Sequence, residues 1–292
     1  RKLNFMFEAS VGGGIPIIRP LNQSLTADEI TKITGILNGT TNYILTKMSR
    51  DGSSYEDTLK EAQELGYAER NPEADVEGYD ACRKIAILTS LACGSTVHFE
   101  EVTTEGISKI TTTDFKYADE LGCVIKLLAT SYKKDGKVYV ITAPFMIDST
   151  HPLYNVNDVL NGIYVNGNVL GNVMFFGAGA GKLPTASAVV ADVVDCVKHK
   201  GTNVMTVWAK TKLELGSTDD EVRSFFVRVK GDPDKDADAV REAFGDVDIV
   251  TVDGVVGEFG FVTEDMTEMA FNETIAGFDM INRIRIDKTV LK

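Results

Sequence analysis

The stretch GYAERNPEADVEGYDACRKIAILTSLACG, residues 66–94, decides how the chain is read. Asp80 and Lys84 stand four apart, on one helix face, and Ile85, Ala86, Ile87, Leu88, Leu91 and Ala92 then cover most of the circumference. An exposed acid–amine pair at this spacing is worth only a few tenths of a kcal/mol, roughly, and needs no function. This helix is predicted to be buried on several sides, with Asp75 as its N-cap and Lys84 carried inward. A buried amine must be paired or face a polar cavity, and burial brings its pKa toward values useful for proton transfer. Glu69, Glu73, Asp75 and Glu77 crowd the approach. They form either a solvated acidic loop or a cradle for a cationic group.

Around that helix the patterning alternates between strand and helix. Strands are predicted at 3–7, 29–37 and 166–176, and helices at 15–21, 40–49 and 186–198. Ser54 to Asp57 resembles a capping box opening a helix that Gly66 closes. Asp135-Gly136 between two strand patterns over 123–147 marks a hairpin. After an acidic linker within 201–221, strands and helices follow in the order βαββαβ, the ferredoxin-like pattern. The fold class is therefore α+β, with a mixed-sheet domain over residues 1–200 and a smaller one over 222–292.

With 30 Lys and Arg against 43 Asp and Glu, the chain carries a net charge of −13. Such a surface repels phosphate backbones and anionic lipid, so nucleic-acid and membrane partners are not expected. The four cysteines lack metal-site spacing, and a reduced, cytoplasmic setting is expected.

Two glycine-rich stretches flank the helical region. FEASVGGGIPIIRPL (7–21) permits positive φ; it suits an anion held by N–H groups, a hard cation held by carbonyls and the Glu8 carboxylate, or a tight connection without ligand. FFGAGAGKLPTASAVV (175–190) places glycines before a helix but fits neither the P-loop, which needs Ser or Thr at Leu183, nor the dinucleotide fingerprint, which needs glycine at Lys182.

These two stretches, with GILNGTTNYIL (35–45) and GYAERNPEADVEGYDACRKIAIL (66–88), resemble homoserine dehydrogenases of the bacterial type with a C-terminal ACT domain. The resemblance is close from Leu3 to about Lys200 and looser in the tail. It implies reversible NAD- or NADP-dependent interconversion of L-homoserine and L-aspartate 4-semialdehyde, on the route to threonine, methionine and isoleucine. Under it Lys84 matches the proton donor, Asp80 and Glu69 match substrate-binding acids, and Asp75 and Thr40 line the same pocket. Glu8, Val11, Gly13 and Ile15 match a monovalent-cation (Na+) site, and Gly179 lies beside the nicotinamide cofactor. A homodimer or homotetramer is implied, with L-threonine as an effector.

Two departures qualify the resemblance. The family's N-terminal doubly wound cofactor domain is missing from the sequence, so residues 1–292 are expected to be inactive alone. Pro233-Asp234 stands where ligand-binding ACT domains carry proline–glycine, which counts against threonine binding. The competing reading is a non-catalytic amino-acid sensor or dimerisation module, which has no use for Lys84.

Overall fold

A computed structural model describes residues 3–204, 206 and 208–288. The first elements are β1 (Ile30–Ile36), α1 (Gly39–Asp51), α2 (Tyr55–Glu64), the single turn α3 (Glu73–Val76) and α4 (Tyr79–Cys93). Then come β2 (Ser95–Thr96), β3 (Thr103–Thr104), α5 (Thr112–Glu120), β4 (Cys123–Lys134), β5 (Lys137–Asp148), β6 (Leu160–Gly167), β7 (Gly171–Ala178), α6 (Lys182–Lys198) and β8 (Ala209–Lys212). The tail adds β9 (Val222–Lys230), α7 (Pro233–Phe244), β10 (Val247–Val250), β11 (Glu258–Thr263), β12 (Met266–Thr267), α8 (Glu268–Ile275) and β13 (Met280–Ile286). The expected outer ends at residues 1–2 and 289–292 lie outside the described residues.

Local chemistry accounts for most boundaries. Asn38 caps α1 by accepting from the Thr41 N–H at 2.9 Å, and left-handed Gly52 ends it. Ser54 caps α2 through the Asp57 N–H, and Gly66 follows its last turn with φ 75°. Asp135 and Gly136 both adopt positive φ, the geometry a two-residue hairpin needs between β4 and β5.

Four expectations change. Residues 3–7 pair with no strand, so their alternation has nothing to bond to. The helix expected to start within 15–21 begins at residue 18 and continues as an irregular, wider turn over Pro20–Ser24. The strand expected at 166–176 is a hairpin, because Asp28 Oδ1 accepts from Val169 and Leu170 N–H (2.9 and 2.7 Å) and fixes a turn before Gly171. Asp75 is not the cap of the central helix. It lies in α3, and Gly78, with φ 80°, separates that turn from α4.

Among the described residues β2 and β8 pair with each other, and the remaining strands join in one mixed sheet ordered β10-β11-β9-β13-β5-β4-β1-β6-β7, with β12 on β9 and β3 on β5. The tail alone has the order β13-β9-β11-β10, all antiparallel, as a βαββαβ unit requires. It joins the rest through parallel pairing of β13 with β5, Arg285 opposite Phe145. α4 lies on the sheet through Ile85 and Leu88, both fully buried. By contrast α6 leaves Leu183, Val189, Val190, Val193, Val194 and Val197 exposed.

Buried charges reinforce the seam. Arg285 bonds both Glu268 and Glu105, and Arg228 bonds Asp114 on α5 (2.8 Å) and Glu258 on β11 (2.9 Å). Asp287 is 7% exposed; Lys32 Nζ lies 3.1 Å away and His151 Nε2 3.8 Å. Burial alone would raise the Asp287 pKa, but the His151 ring and the Lys32 ammonium outweigh it and hold the carboxyl well below the usual range. A depressed carboxylate pKa stabilises the fold above the unfolded-state value, and that stabilisation fades as pH falls through the folded one. Asp287→Asn is therefore expected to cost about 3 kcal/mol near neutral pH. In urea titrations across pH, the gap from wild type should begin to narrow below about pH 4 and keep narrowing as pH falls further. A gap constant down to pH 2 would contradict this.

Candidate functional site

At the end of β1 the chain runs Ile36-Leu37-Asn38 into the start of α1, and α4 passes alongside. Lys84 Nζ donates to Asp80 Oδ2 at 2.6 Å and to the Leu37 carbonyl at 2.9 Å. Its side chain is 20% exposed, so the ammonium is sheltered but reachable. Two of its three protons are committed to these partners.

Asn38 joins the acids to this group. Its Nδ2 donates to Asp75 Oδ1 (2.7 Å) and Asp80 Oδ2 (2.9 Å), while its Oδ1 caps α1. Burial raises the Asp75 pKa most; the Asn38 hydrogen bond and Lys84 oppose the rise, and Asp80 and Glu69 add to it. Glu69 itself is exposed, close enough for its charge to act on Asp75. Thr40 Oγ1 donates to the Tyr67 carbonyl at 2.5 Å, drawing the acidic loop onto α1. Lys84, Asp80, Asp75, Glu69 and Thr40 thus meet in one place, and Lys84 does not point into open solvent.

The two glycine stretches, far apart in sequence, are in contact. Gly14 N–H donates to the Ala178 carbonyl at 3.1 Å, and a Cβ added to Gly13 would collide with the Gly179 carbonyl. Glu8 is 4% exposed, but its carboxylate accepts from the Ile17, Ile18 and Arg19 N–H groups at 2.5, 2.8 and 2.9 Å. That carboxylate is engaged by backbone, whereas the carbonyls of Val11, Gly13 and Ile15 accept none of the loop's hydrogen bonds. Free carbonyls are the donor type a hard cation takes, whereas the Glu8 carboxylate would have to share three N–H donors. Among the described residues no cluster of three His, Cys, Asp or Glu side chains is placed to hold a metal ion. No helix of the described residues is long and apolar enough to cross a membrane.

Asn38 was missed by reading the helix from Thr40, although Asn before Gly-Thr-Thr is a cap signal. Lys126 and Asn42 were also missed. Buried Lys126 donates to the Val156 carbonyl (2.7 Å) and Asn157 Oδ1 (2.9 Å), and Asn42 Nδ2 bonds the Val156, Asp158 and Leu160 carbonyls. Together they strap the loop before β6 to α1. Burial brings the Lys126 pKa down to about 8. A single asparagine or lysine gives no local signal for such long-range straps.

Asn38→Ala removes the α1 cap and the bridge between the two aspartates. It should destabilise the fold by about 1–2 kcal/mol in chemical denaturation. A loss below a few tenths would mean that neither role matters.

Comparison with known proteins fits this arrangement. The family model described as homoserine dehydrogenase matches residues 16–194. Homoserine dehydrogenase of Synechocystis is 53% identical over 196 residues, 66% of this chain and 45% of the relative, and that of Bacillus subtilis is 48% identical over 193 residues, again 66% and 45%. The chain spans about half the length of these curated relatives. The crystal structure of a homoserine dehydrogenase from Thiobacillus denitrificans superposes with a TM-score of 0.86 at 36% identity, covering 97% of this chain and 70% of that one. A hyperthermophilic archaeal homoserine dehydrogenase mutant in complex with NADPH matches at 34% identity and TM-score 0.57, over 68% of this chain and 57% of its own. By its sequence, its fold and the matched region around Lys84, the chain belongs to the homoserine dehydrogenase family.

Proposed function

We propose that this chain carries the substrate side of an NAD(P)-dependent enzyme interconverting L-homoserine and L-aspartate 4-semialdehyde. The observation that supports this most is the Lys84 ammonium, anchored on Asp80 and the Leu37 carbonyl with one proton uncommitted. In the reducing direction the semialdehyde oxygen receives that proton as negative charge develops on it. In the oxidising direction neutral Lys84 takes the hydroxyl proton back. Asp80 fixes the amine in place and compensates its charge.

Glu69 and Asp75 are the carboxylates for the substrate's α-ammonium, and Thr40 shapes the pocket wall. Gly179 would lie beside a nicotinamide cofactor, which would supply the hydride chemistry when bound. The archaeal relative's NADPH favours NADP, although both NAD and NADP remain within the reading. Na+ is assigned to the carbonyls of Val11, Gly13 and Ile15; Glu8 contributes mainly by capping the neighbouring turn.

The division into a substrate domain (1–200), a linker (201–221) and an ACT-like domain (222–292) is part of the same reading. The tail's strand order supports the last of these. There Asp232 caps α7 through the Asp234 N–H at 3.1 Å, so Pro233-Asp234 serves a helix start. That favours a structural role for the tail over threonine binding. Assembly as a homodimer or homotetramer belongs to the proposal too.

The test is Lys84→Ala in the full-length protein containing this chain, followed by NADPH consumption with aspartate semialdehyde. Turnover should fall by about 10²–10⁴-fold with the melting temperature unchanged. Retained turnover in the variant, or none in the wild type, would end this reading.

A further inference from the structure

Asn38 caps α1, and a cap needs only an oxygen. Ser or Asp at position 38 would accept from the Thr41 N–H as well as asparagine does. The amide nitrogen is surplus to the helix, and it is the nitrogen that reaches the acids, Asp75 Oδ1 at 2.7 Å and Asp80 Oδ2 at 2.9 Å.

Its partners fix the orientation of this buried amide. The oxygen accepts from the Thr41 N–H at 2.9 Å and lies 3.1 Å from the Thr41 hydroxyl, while the nitrogen spends both hydrogens on carboxylates. A flipped amide would set its oxygen against two acids. The neighbouring Leu37 carbonyl takes Lys84 Nζ at 2.9 Å, and Lys84 shares Asp80 Oδ2 with Asn38. Two consecutive residues at the β1–α1 joint thus hold the amine by a carbonyl and its acid by an amide.

Asp75 is faced by Asp80 and Lys84 from α4 and by Glu69 from the loop before α3. Glu105, on the segment bonded to Val76, is turned instead to Arg283 and Arg285. Burial raises the Asp75 pKa most, and the Asn38 hydrogen bond is the largest influence lowering it, ahead of Lys84. Removing the amide raises the pH at which Asp75 ionises, and a carboxylate in its place raises it further.

We propose that Asn38 is a positioning residue for the reaction: its amide nitrogen aims Asp75 and Asp80 into one pocket and lets the two carboxylates be charged together, one toward a substrate cation and one toward Lys84. The substrate comes from the dehydrogenase reading, on which this rests; the bridge comes from the geometry.

The experiment compares wild type, Asn38→Ser and Asn38→Asp in the full-length protein containing this chain. Both variants keep a capping oxygen, so the start of α1 is retained. The kcat/KM for homoserine is followed over about pH 5–9. Protonated Asp75 cannot hold a cation, so the acidic limb of the profile moves to higher pH when Asp75 becomes harder to ionise. Asn38→Ser should lower kcat/KM by about tenfold at the acidic end and about twofold at the alkaline end, chiefly through KM. Asn38→Asp should move the limb further. In an Asp75→Asn background, Asn38→Ser should no longer move it. Carbon NMR of isotope-labelled aspartate carboxyls, with Asp75 assigned by its loss in Asp75→Asn, should show Asp75 titrating at higher pH in Asn38→Ser than in wild type, with no substrate present.

A loss of kcat/KM that is uniform across pH overturns the proposal, since a purely structural defect scales every point alike. So does a limb that stays in place or moves to lower pH, a shift that persists without Asp75, or an unchanged Asp75 titration. A wild type that does not oxidise homoserine sinks the dehydrogenase reading, while the carboxyl titration still decides whether Asn38 governs Asp75.

Discussion

Everything around the central helix depends on one carboxamide, that of Asn38. Its oxygen closes the first turn of α1, and its nitrogen holds Asp75 and Asp80 together. Two carboxylates brought close repel each other, and a shared neutral donor eases this without cancelling the charge. Asp80 anchors Lys84, and burial raises the Asp75 pKa while the Asn38 hydrogen bond opposes the rise. A charged residue at position 38 could not serve both ends: a lysine would neutralise the pair and an aspartate would add to the repulsion.

Asn38 and Asn161 make an instructive pair. The same functional group is fully used at one end of β1 and wholly idle on the adjacent strand. The first joins the acids to α1; the second lies packed beneath Gly179. Around them the glycines at 13, 39 and 179 serve closeness more than flexibility, since side chains there would fill the space between the loops.

The parts legible in sequence were the local ones. Asp80 and Lys84 share a face by their spacing alone, the Asp135-Gly136 hairpin is signalled by two residues, and the tail's βαββαβ order follows from its patterning. The illegible parts depend on partners distant in the chain. Asn38 meets Asp75 and Asp80 37 and 42 residues away, and Glu105 meets Arg285 180 residues away. Alternation at 3–7 misled because pattern supplies an apolar face but no neighbouring strand. The same applies to 166–176, where the turn depends on the Asp28 carboxylate from the far side of β1.

Glu105 has a wider consequence. Its side chain is gripped by Arg283 and Arg285 of β13, its own N–H bonds Thr142 of β5, and two residues later the Ile107 N–H bonds the Val76 carbonyl at 2.8 Å, next to Asp75. A single short strut thus spans from the last strand to the acids. The C-terminal unit is for that reason no detachable appendage. A chain without the tail would have to find another footing for residues 103–110.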